Sequence, residues 1–400
     1  MKEGWTYKKF KEVCASITDG DWIEKKDQSQ SGIRLVQTGN IGIGEFIPKD
    51  DSHKYISEET FNRLRCTEIF EGDILISRLP NPLGRSCILP KLDTRCITAV
   101  DCSILRIKKD AVLPKFFVYY TQSQGYFSKI DSESSGTTRA RITRKKLEET
   151  TIPIPPVSKQ ILIVERLDAA FAHIDELKAN AEKQLTEARA LFQKCLTKAM
   201  KPKKGWEEKT LKEICSVITD GTHHSPSNFA SGKYKYVTAK NIKPWGLDLS
   251  NITFVTEDVH KEIVSRCCPQ KGDVLYIKDG ATTGIAIVNP LDEEFSMLSS
   301  VALIRPQKDI LLSEFLCYAL NSPSIYEQTR SQMDGAAITR VTLVKIKGFK
   351  IPVPPVAEQQ RIVARLDSLS ENVRKYEEIQ RKVISECDAL KQALLRKVFE

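Results

Sequence analysis

Apolar and polar positions along this chain follow two rhythms, and the change from one to the other happens twice. Across residues 5–155, and again across 206–354, short β-branched and aromatic runs are separated by turn residues. Asp73-Ile74-Leu75-Ile76-Ser77 and Asp273-Val274-Leu275-Tyr276-Ile277 read as short strands after Gly-Asp turns. Phe116, Phe117 and Tyr120, like Phe315, Leu316, Ala319 and Leu320, are instead spaced for a helix. The mixture predicts α+β globular parts. Each closes on Ile-Pro-X-Pro-Pro, where prolines remove ladder donors and fix φ. The expectation there is that a strand stops and a helix begins at the last proline.

After each closure the spacing becomes heptad-like. Leu366, Val373, Gln380, Cys387 and Leu394 fall seven apart, with Leu369, Tyr376, Val383 and Leu390 three residues later. The earlier copy has Leu167, Ile174, Ala181, Ala188 and Cys195, with Ala170, Leu177 and Leu191 beside them. No proline or glycine interrupts 157–200 or 356–400. The pattern predicts two long helices packed as an antiparallel coiled-coil pair, the alternative being that each folds back on its own globular half, with Leu167, Ile174, Leu177, Leu366, Val373, Tyr376 and Leu390 in the seam or on a partner surface. The expected division is 1–155 and 205–354 for the globular parts, with helices over 156–204 and 355–400.

The two rhythms recur because the chain is duplicated. Cys14 to Gly20 (CASITDG) matches Cys215 to Gly221 (CSVITDG), Trp5 pairs with Trp206, and Asn40-Ile41 pairs with Asn241-Ile242. The strongest copy is IPIPPVSKQILIVERLD from Ile152 against IPVPPVAEQQRIVARLD from Ile351, identical at 11 of 17 positions. Between these blocks the halves diverge: Thr222-His223-His224 follows the second Asp-Gly and Asp21-Trp22-Ile23 the first. One scaffold carrying dissimilar inserts suggests two copies of a device that reads two different things.

Composition narrows the class. The 400 residues hold 61 Lys and Arg against 52 Asp and Glu, a net charge of +9. No apolar run is long enough to span a membrane, and Met1 to Trp5 opens without the apolar stretch of a leader. An odd eleven cysteines, irregularly spaced, fit reduced thiols in a cytoplasmic protein. Enzymatic motifs are missing. There is no phosphate-binding loop, no C-x-x-C, and no Asp- or Asn-Pro-Pro-aromatic motif of a base-amine methyltransferase. His223-His224 reads as a solvated pair, and Asp19 with Glu24 and Lys25 only superficially matches a nuclease triplet. The reading is therefore a non-enzyme that binds no cofactor or metal itself.

The positive charge is concentrated. Thr138, Arg139, Arg141, Thr143, Arg144, Lys145 and Lys146 follow Gly136 without an acid, and Arg340, Thr342, Lys345, Lys347 and Lys350 repeat that strip in register. Arginine's planar fork can bind guanine, and nearby lysines can bind phosphates. A two-headed assembly adaptor without sequence-specific DNA binding is the alternative for such a duplicated, helix-linked chain.

Tandem halves opening on Trp and Ile-Thr-Asp-Gly and closing on Ile-Pro-X-Pro-Pro-Val-X-X-Gln plus a long helix resemble the DNA-specificity subunit of type I restriction–modification systems. The resemblance covers essentially the whole chain. It implies two target-recognition domains of mixed α/β structure with a curled sheet, each reading one half of a split, asymmetric DNA target. The helices would set the gap and dock two methyltransferase subunits, and two motor-nuclease subunits would join them. S-adenosylmethionine, ATP and Mg would then sit on those partners. Candidate DNA contacts are Asn40, Arg78, Thr138, Arg139, Arg141, Thr143 and Arg144 in the first half. In the second they are His223, His224, Lys240, Asn241, Lys278, Thr282, Arg340, Thr342 and Lys345.

Overall fold

The structure, a computed structural model, describes residues 4–49, 52–108, 110–135, 140–333 and 340–400. It divides into two compact units, Met1–Glu182 with Arg381–Glu400, and Lys183–Gln380. In the first, an antiparallel sheet runs in the order Cys14–Asp19, Cys102–Ile107, Ile74–Ser77, Ser86–Ile88. A second sheet runs Tyr55–Ile56, Ile33–Val36, Cys96–Thr98, Glu68–Ile69, its middle pair parallel. The second unit repeats the first sheet as Cys215–Asp220, Val301–Pro306, Val274–Ile277, Ala286–Val288. Its other sheet keeps three strands, Thr253–Val255, Tyr234–Val237 and Ser296–Met297, and a separate hairpin joins Ile242–Lys243 to Gly246–Leu247. Helices Pro114–Tyr120 and Ser313–Leu320 occupy the segments with helical spacing. Each unit is α+β, as expected.

The repeated Asp-Gly has a steric cause. A Cβ on Gly20 would lie 2.3 Å from the Thr98 carbonyl oxygen, and one on Gly221 1.9 Å from that of Met297. Backbone pairs so closely there that only glycine fits.

The proline closure departs from expectation. Thr151–Ile154 and Lys350–Val353 are strands that contain Pro153 and Pro352, paired antiparallel with Thr6–Lys9 and Glu207–Thr210. A two-stranded ladder leaves one edge open, so the missing N–H of proline costs nothing when it faces outward. The helices then start directly after the adjacent prolines Pro155-Pro156 and Pro354-Pro355, as Val157–Met200 and Val356–Phe399, 44 residues each.

The boundary between units falls inside both helices. Within the first unit they run antiparallel, Asp175 meeting Lys391 at 2.5 Å and Lys178 meeting Asp388 at 2.7 Å. In the second, Arg189 pairs with Glu377 at 2.8 Å, and the Tyr376 hydroxyl donates to Gln184 Oε1 at 2.7 Å. The heptad positions Leu167, Ile174, Ala181, Leu366 and Cys387 are buried and Val373 is half-buried. The companion row is corrected. Leu177, Leu191, Tyr376 and Leu390 are exposed, and the buried neighbours of Leu167 and Ile174 lie three residues earlier, at Val164 and Phe171. Those two residues pack into the first unit's globular core together with Leu395 and Phe399, so the covered stripe turns toward the lobe. Leu196 and Met200 join the second unit's core in the same way.

A buried glutamine ties each helix start to its lobe. Gln160 Oε1 accepts from Leu113 N at 2.9 Å while Nε2 donates to Pro155 O at 2.9 Å and Ala111 O at 3.2 Å. Gln359 repeats the set with Leu312 N, Pro354 O and Ile310 O at 2.9, 2.8 and 2.8 Å. One helical turn pair further on, Tyr119 and Tyr318 donate to Asp168 and Asp367 at 2.6 and 2.7 Å. The most strongly repeated motif is thus a structural joint. All eleven cysteines are free thiols, and burial pushes Cys14, Cys87 and Cys215 up to about 12.

Leu196 has no exposed surface and Leu191 is 53% exposed on the same helix. Leu196→Ala is therefore expected to lower stability by ~2–5 kcal/mol. Leu191→Ala should leave the urea midpoint nearly unchanged, and equal losses at both sites would contradict this packing.

Candidate nucleic-acid interface

Both units build a like ion pair at the ends of two strands that flank the same central strand of the four-stranded sheet. Asp19 closes the strand Cys14–Asp19, and Arg78 follows Ile74–Ser77. Arg78 Nη1 lies 3.6 Å from Asp19 Oδ2, the cation 6% and the half-buried carboxylate 28% exposed. In the second unit Lys278 Nζ lies 3.4 Å from Asp220 Oδ2, with exposures of 7% and 2%. Arg78 also donates to Val100 O, but its Nε is buried without a hydrogen-bond partner among the described residues. That burial lowers its affinity for the proton, partly offset by Asp19. Lys278 also reaches Asp279 Oδ1 at 3.3 Å. Arg78 and Lys278, both expected at a DNA surface, are internal instead.

Their backbones hold the stems of the basic strips. Ile142 N donates to Arg78 O at 3.4 Å, and Val341 N to Lys278 O at 2.8 Å. Arg141 pairs with Asp101 at 2.9 Å, and Arg340, exposed, forms a backbone bridge with Asp279. Arg144 stands 46% exposed between Glu148 at 3.2 Å and Asp19 at 4.0 Å. Thr138 and Arg139 lie outside the described residues.

Several other candidates bond to the chain's own backbone. Asn40 and Asn241 are 7% and 6% exposed. Asn40 Oδ1 accepts from Gln37 N at 2.9 Å and its amide donates to Ile47 O at 2.9 Å; Asn241 does the same with Thr238 N at 3.0 Å and Asp248 O at 3.2 Å. Each closes a turn from within. Thr143 and Thr342 are helix N-caps, each accepting from the amide three residues on, at 3.4 Å. Lys345 donates to Gln332 O at 2.7 Å, and Lys146 to Glu133 O, at the ends of two preceding helices. Lys240, His224 and Thr282 are exposed.

Around Asp220 the structure adds a residue that the motif search missed. Arg266 ends the helix Glu257–Arg266 and donates through Nη2 to Asp220 Oδ1 at 2.6 Å. The same nitrogen meets His223 Nε2 at 2.9 Å. Nothing local marks Arg266, because its partner is 46 residues away. Two tryptophans are also well exposed, Trp22 at 69% and Trp245 at 76%, the latter in the two-residue turn of the hairpin. Among the described residues no group of His, Cys, Asp and Glu could hold a metal, and no helix is long and apolar enough to cross a membrane.

Duplicated lobes carrying basic loop stems on a shared internal frame are matched by a known family. The model described as "Type I restriction modification DNA specificity domain" fits residues 2–187 and again 203–383. The chain belongs to that DNA-specificity family. Among its relatives, the EcoKI specificity subunit of Escherichia coli (strain K12) is 24% identical over 429 residues, covering 100% of this chain and 89% of the relative. The EcoBI specificity subunit of Escherichia coli is 24% identical over 322 residues, 74% of this chain and 67% of the relative. In fold, the chain is similar over its whole length to one solved in work on assembly and conformational transition of the type I R-M system, with a TM-score of 0.78, 22% identity and 98% of that chain covered. The HsdS subunit from Thermoanaerobacter tengcongensis aligns with a TM-score of 0.55 and 21% identity, covering 100% of this chain and 97% of that one.

Asn40→Ala and Asn241→Ala are accordingly expected to cost about 1–3 kcal/mol each by leaving turn amides unpaired. Urea unfolding would register the loss. The sequence preference of the folded fraction in a DNA-binding assay should not move.

Proposed function

We propose that this chain selects the DNA address for a type I restriction–modification complex and leaves the chemistry to its partners. Each lobe reads one part of an asymmetric bipartite target, and the long helices set the gap between the parts. Two modification subunits, carrying S-adenosylmethionine, dock against the helices and methylate the target. Two motor-nuclease subunits supply ATP- and Mg-dependent translocation and cleavage. The chain itself performs no catalysis, binds no cofactor, and works in the cytoplasm.

The observation that carries this reading is the repeated frame with unlike outer faces. The cations Arg78 and Lys278 that pair with Asp19 and Asp220 are internal in both units. The half-exposed cations beside them come from different segments, Arg144 in one unit and Arg266 in the other. Two readers built alike but presenting different donors suit two different half-sites. The docking role is supported by Leu177, Leu191, Ile379 and Leu390, which leave apolar surface at 56%, 53%, 58% and 49% exposure on the helices.

Methylome sequencing of cells carrying this gene with its modification partner, against a deletion control, should give a two-part motif with a fixed gap. Inserting a few residues into both helices should change the gap and keep both half-sites. Altered half-sites with the gap unchanged would count against the helices as ruler. Arg141→Ala should weaken recognition of the first half-site by ~1–3 kcal/mol if its guanidinium meets a base. Retention of affinity and preference by that variant would remove it from the interface.

A further inference from the structure

The loop that follows the strand Ile74–Ser77 is bound inward almost everywhere. Arg85, half-buried, fans its guanidinium over five backbone carbonyls. Nη1 reaches those of Leu79, Pro80 and Pro82 at 3.2, 3.0 and 3.0 Å, while Nε and Nη2 reach Ile41 and Thr38 at 2.6 and 2.8 Å. The Tyr126 hydroxyl donates to Gly84 O at 2.9 Å, and the side chains of Leu79 and Leu83 are buried. Of residues 79–84 only Asn81 is exposed, set between two prolines at a φ of 81°.

Asparagine tolerates that left-handed backbone, which accounts for the conformation but not for the side chain. Glycine would serve the same φ without an amide, as Gly84 does at 83° in the same loop. The Asn81 amide has no hydrogen-bond partner among the described residues. It also stands beside the basic strip. Arg78 N donates to Asp101 O at 2.8 Å, and Asp101 Oδ1 pairs with Arg141 at 2.9 Å, so the start of the loop and the strip's arginine share one anchor.

The second unit has a loop of the same length. Gly284 N donates to Ile277 O as Gly84 N does to Ser77 O, each at 2.9 Å. Yet Ala281 and Ile285 occupy the places of Asn81 and Arg85. The outward amide and the guanidinium that fixes its loop occur together in one unit and are absent together from the other. A carboxamide carries a donor and an acceptor on one plane, and the base that offers their complement in the major groove is adenine, through N7 and N6–H.

We propose that Asn81, held outward by the Arg85 clamp, reads an adenine in the half-site of the first lobe. The inference rests on the DNA-reading function proposed above and names a contact within it. Asn81 touches the base; Arg85 is a positioning residue.

The test uses the full chain with its modification subunits and a duplex pool randomised over both half-sites. Wild type should enrich a bipartite motif with an A·T pair in the first half that is sensitive to 7-deazaadenine. Loss of the N7 acceptor there should weaken binding roughly tenfold or more. Asn81→Gly keeps the backbone and Asn81→Asp removes only the amide donor. Both should keep the wild-type urea midpoint, lose preference at that one pair, become insensitive to the deaza substitution and leave the second half-site unchanged. Arg85→Lys keeps the charge but cannot span five carbonyls, so it should blunt the same preference. In an Asn81→Gly chain it should blunt nothing further, whereas a merely structural residue would weaken other positions as well.

If Asn81→Gly retains every first-half preference, the contact is wrong. A uniform loss across all sequences would make the amide a contact to the DNA backbone and equally overturn it. A wild-type chain that enriches no motif would instead bring down the DNA-reading function itself, a result distinct from either.

Discussion

The joint on which each unit depends is a single buried amide. Gln160 and Gln359 have no exposed surface, and each meets one backbone N–H and two carbonyls, one of them the carbonyl just before the helix. An unpaired amide in that position would carry its whole desolvation cost, so the helix start can leave its own lobe in only one direction. The other end of each contact is made differently. Leu395 and Phe399, like Leu196 and Met200, enter the lobe cores as plain apolar burial. A directional polar joint at the helix start and a non-directional apolar one at the helix end give each unit a lobe and two helix segments that fold as one body.

Much of this architecture was legible in the sequence because it is written locally. Strands after Gly-Asp, the helical spacing of Phe116 and Phe315, and the proline-free stretches after each closure are decided by neighbours a few residues apart. The second row of the seam was not. A seven-residue repeat fits a companion row three residues before or after the first, and the choice depends on which side a lobe covers. Val164 and Phe171 are buried because the first lobe's core lies against them, a fact held by residues far away in the chain.

The site was less legible for the same reason, applied to polar groups. Asn40, Asn241, Thr143, Thr342 and Lys345 have side chains suited to DNA contact, yet each satisfies the chain's own backbone. Residue type and repetition cannot separate a donor that closes a turn from one that faces solvent, since both roles are duplicated when a scaffold is duplicated. Arg141 and Arg340 recur in register in the sequence, and in the structure they sit on matching stems. Arg266 was not, because its significance comes from Asp220, on a separate strand.

That distinction explains how one frame can serve two readings. A buried ion pair contributes little net stability over an apolar replacement, because desolvation offsets most of the attraction, whereas breaking one costs several kcal/mol. Its value is in constraint. The carbonyls of Arg78 and Lys278 hold the amides of Ile142 and Val341, so the cation locked to Asp19 or Asp220 also fixes the stem of its basic strip. Substitution within that frame would disturb strand ends, stem and carboxylate together. Beside that frame the exposed cations come from different segments, Arg144 near Asp19 in one unit and Arg266 on Asp220 in the other. A duplicated reader can therefore diverge in what it reads while the interior that aims it stays the same.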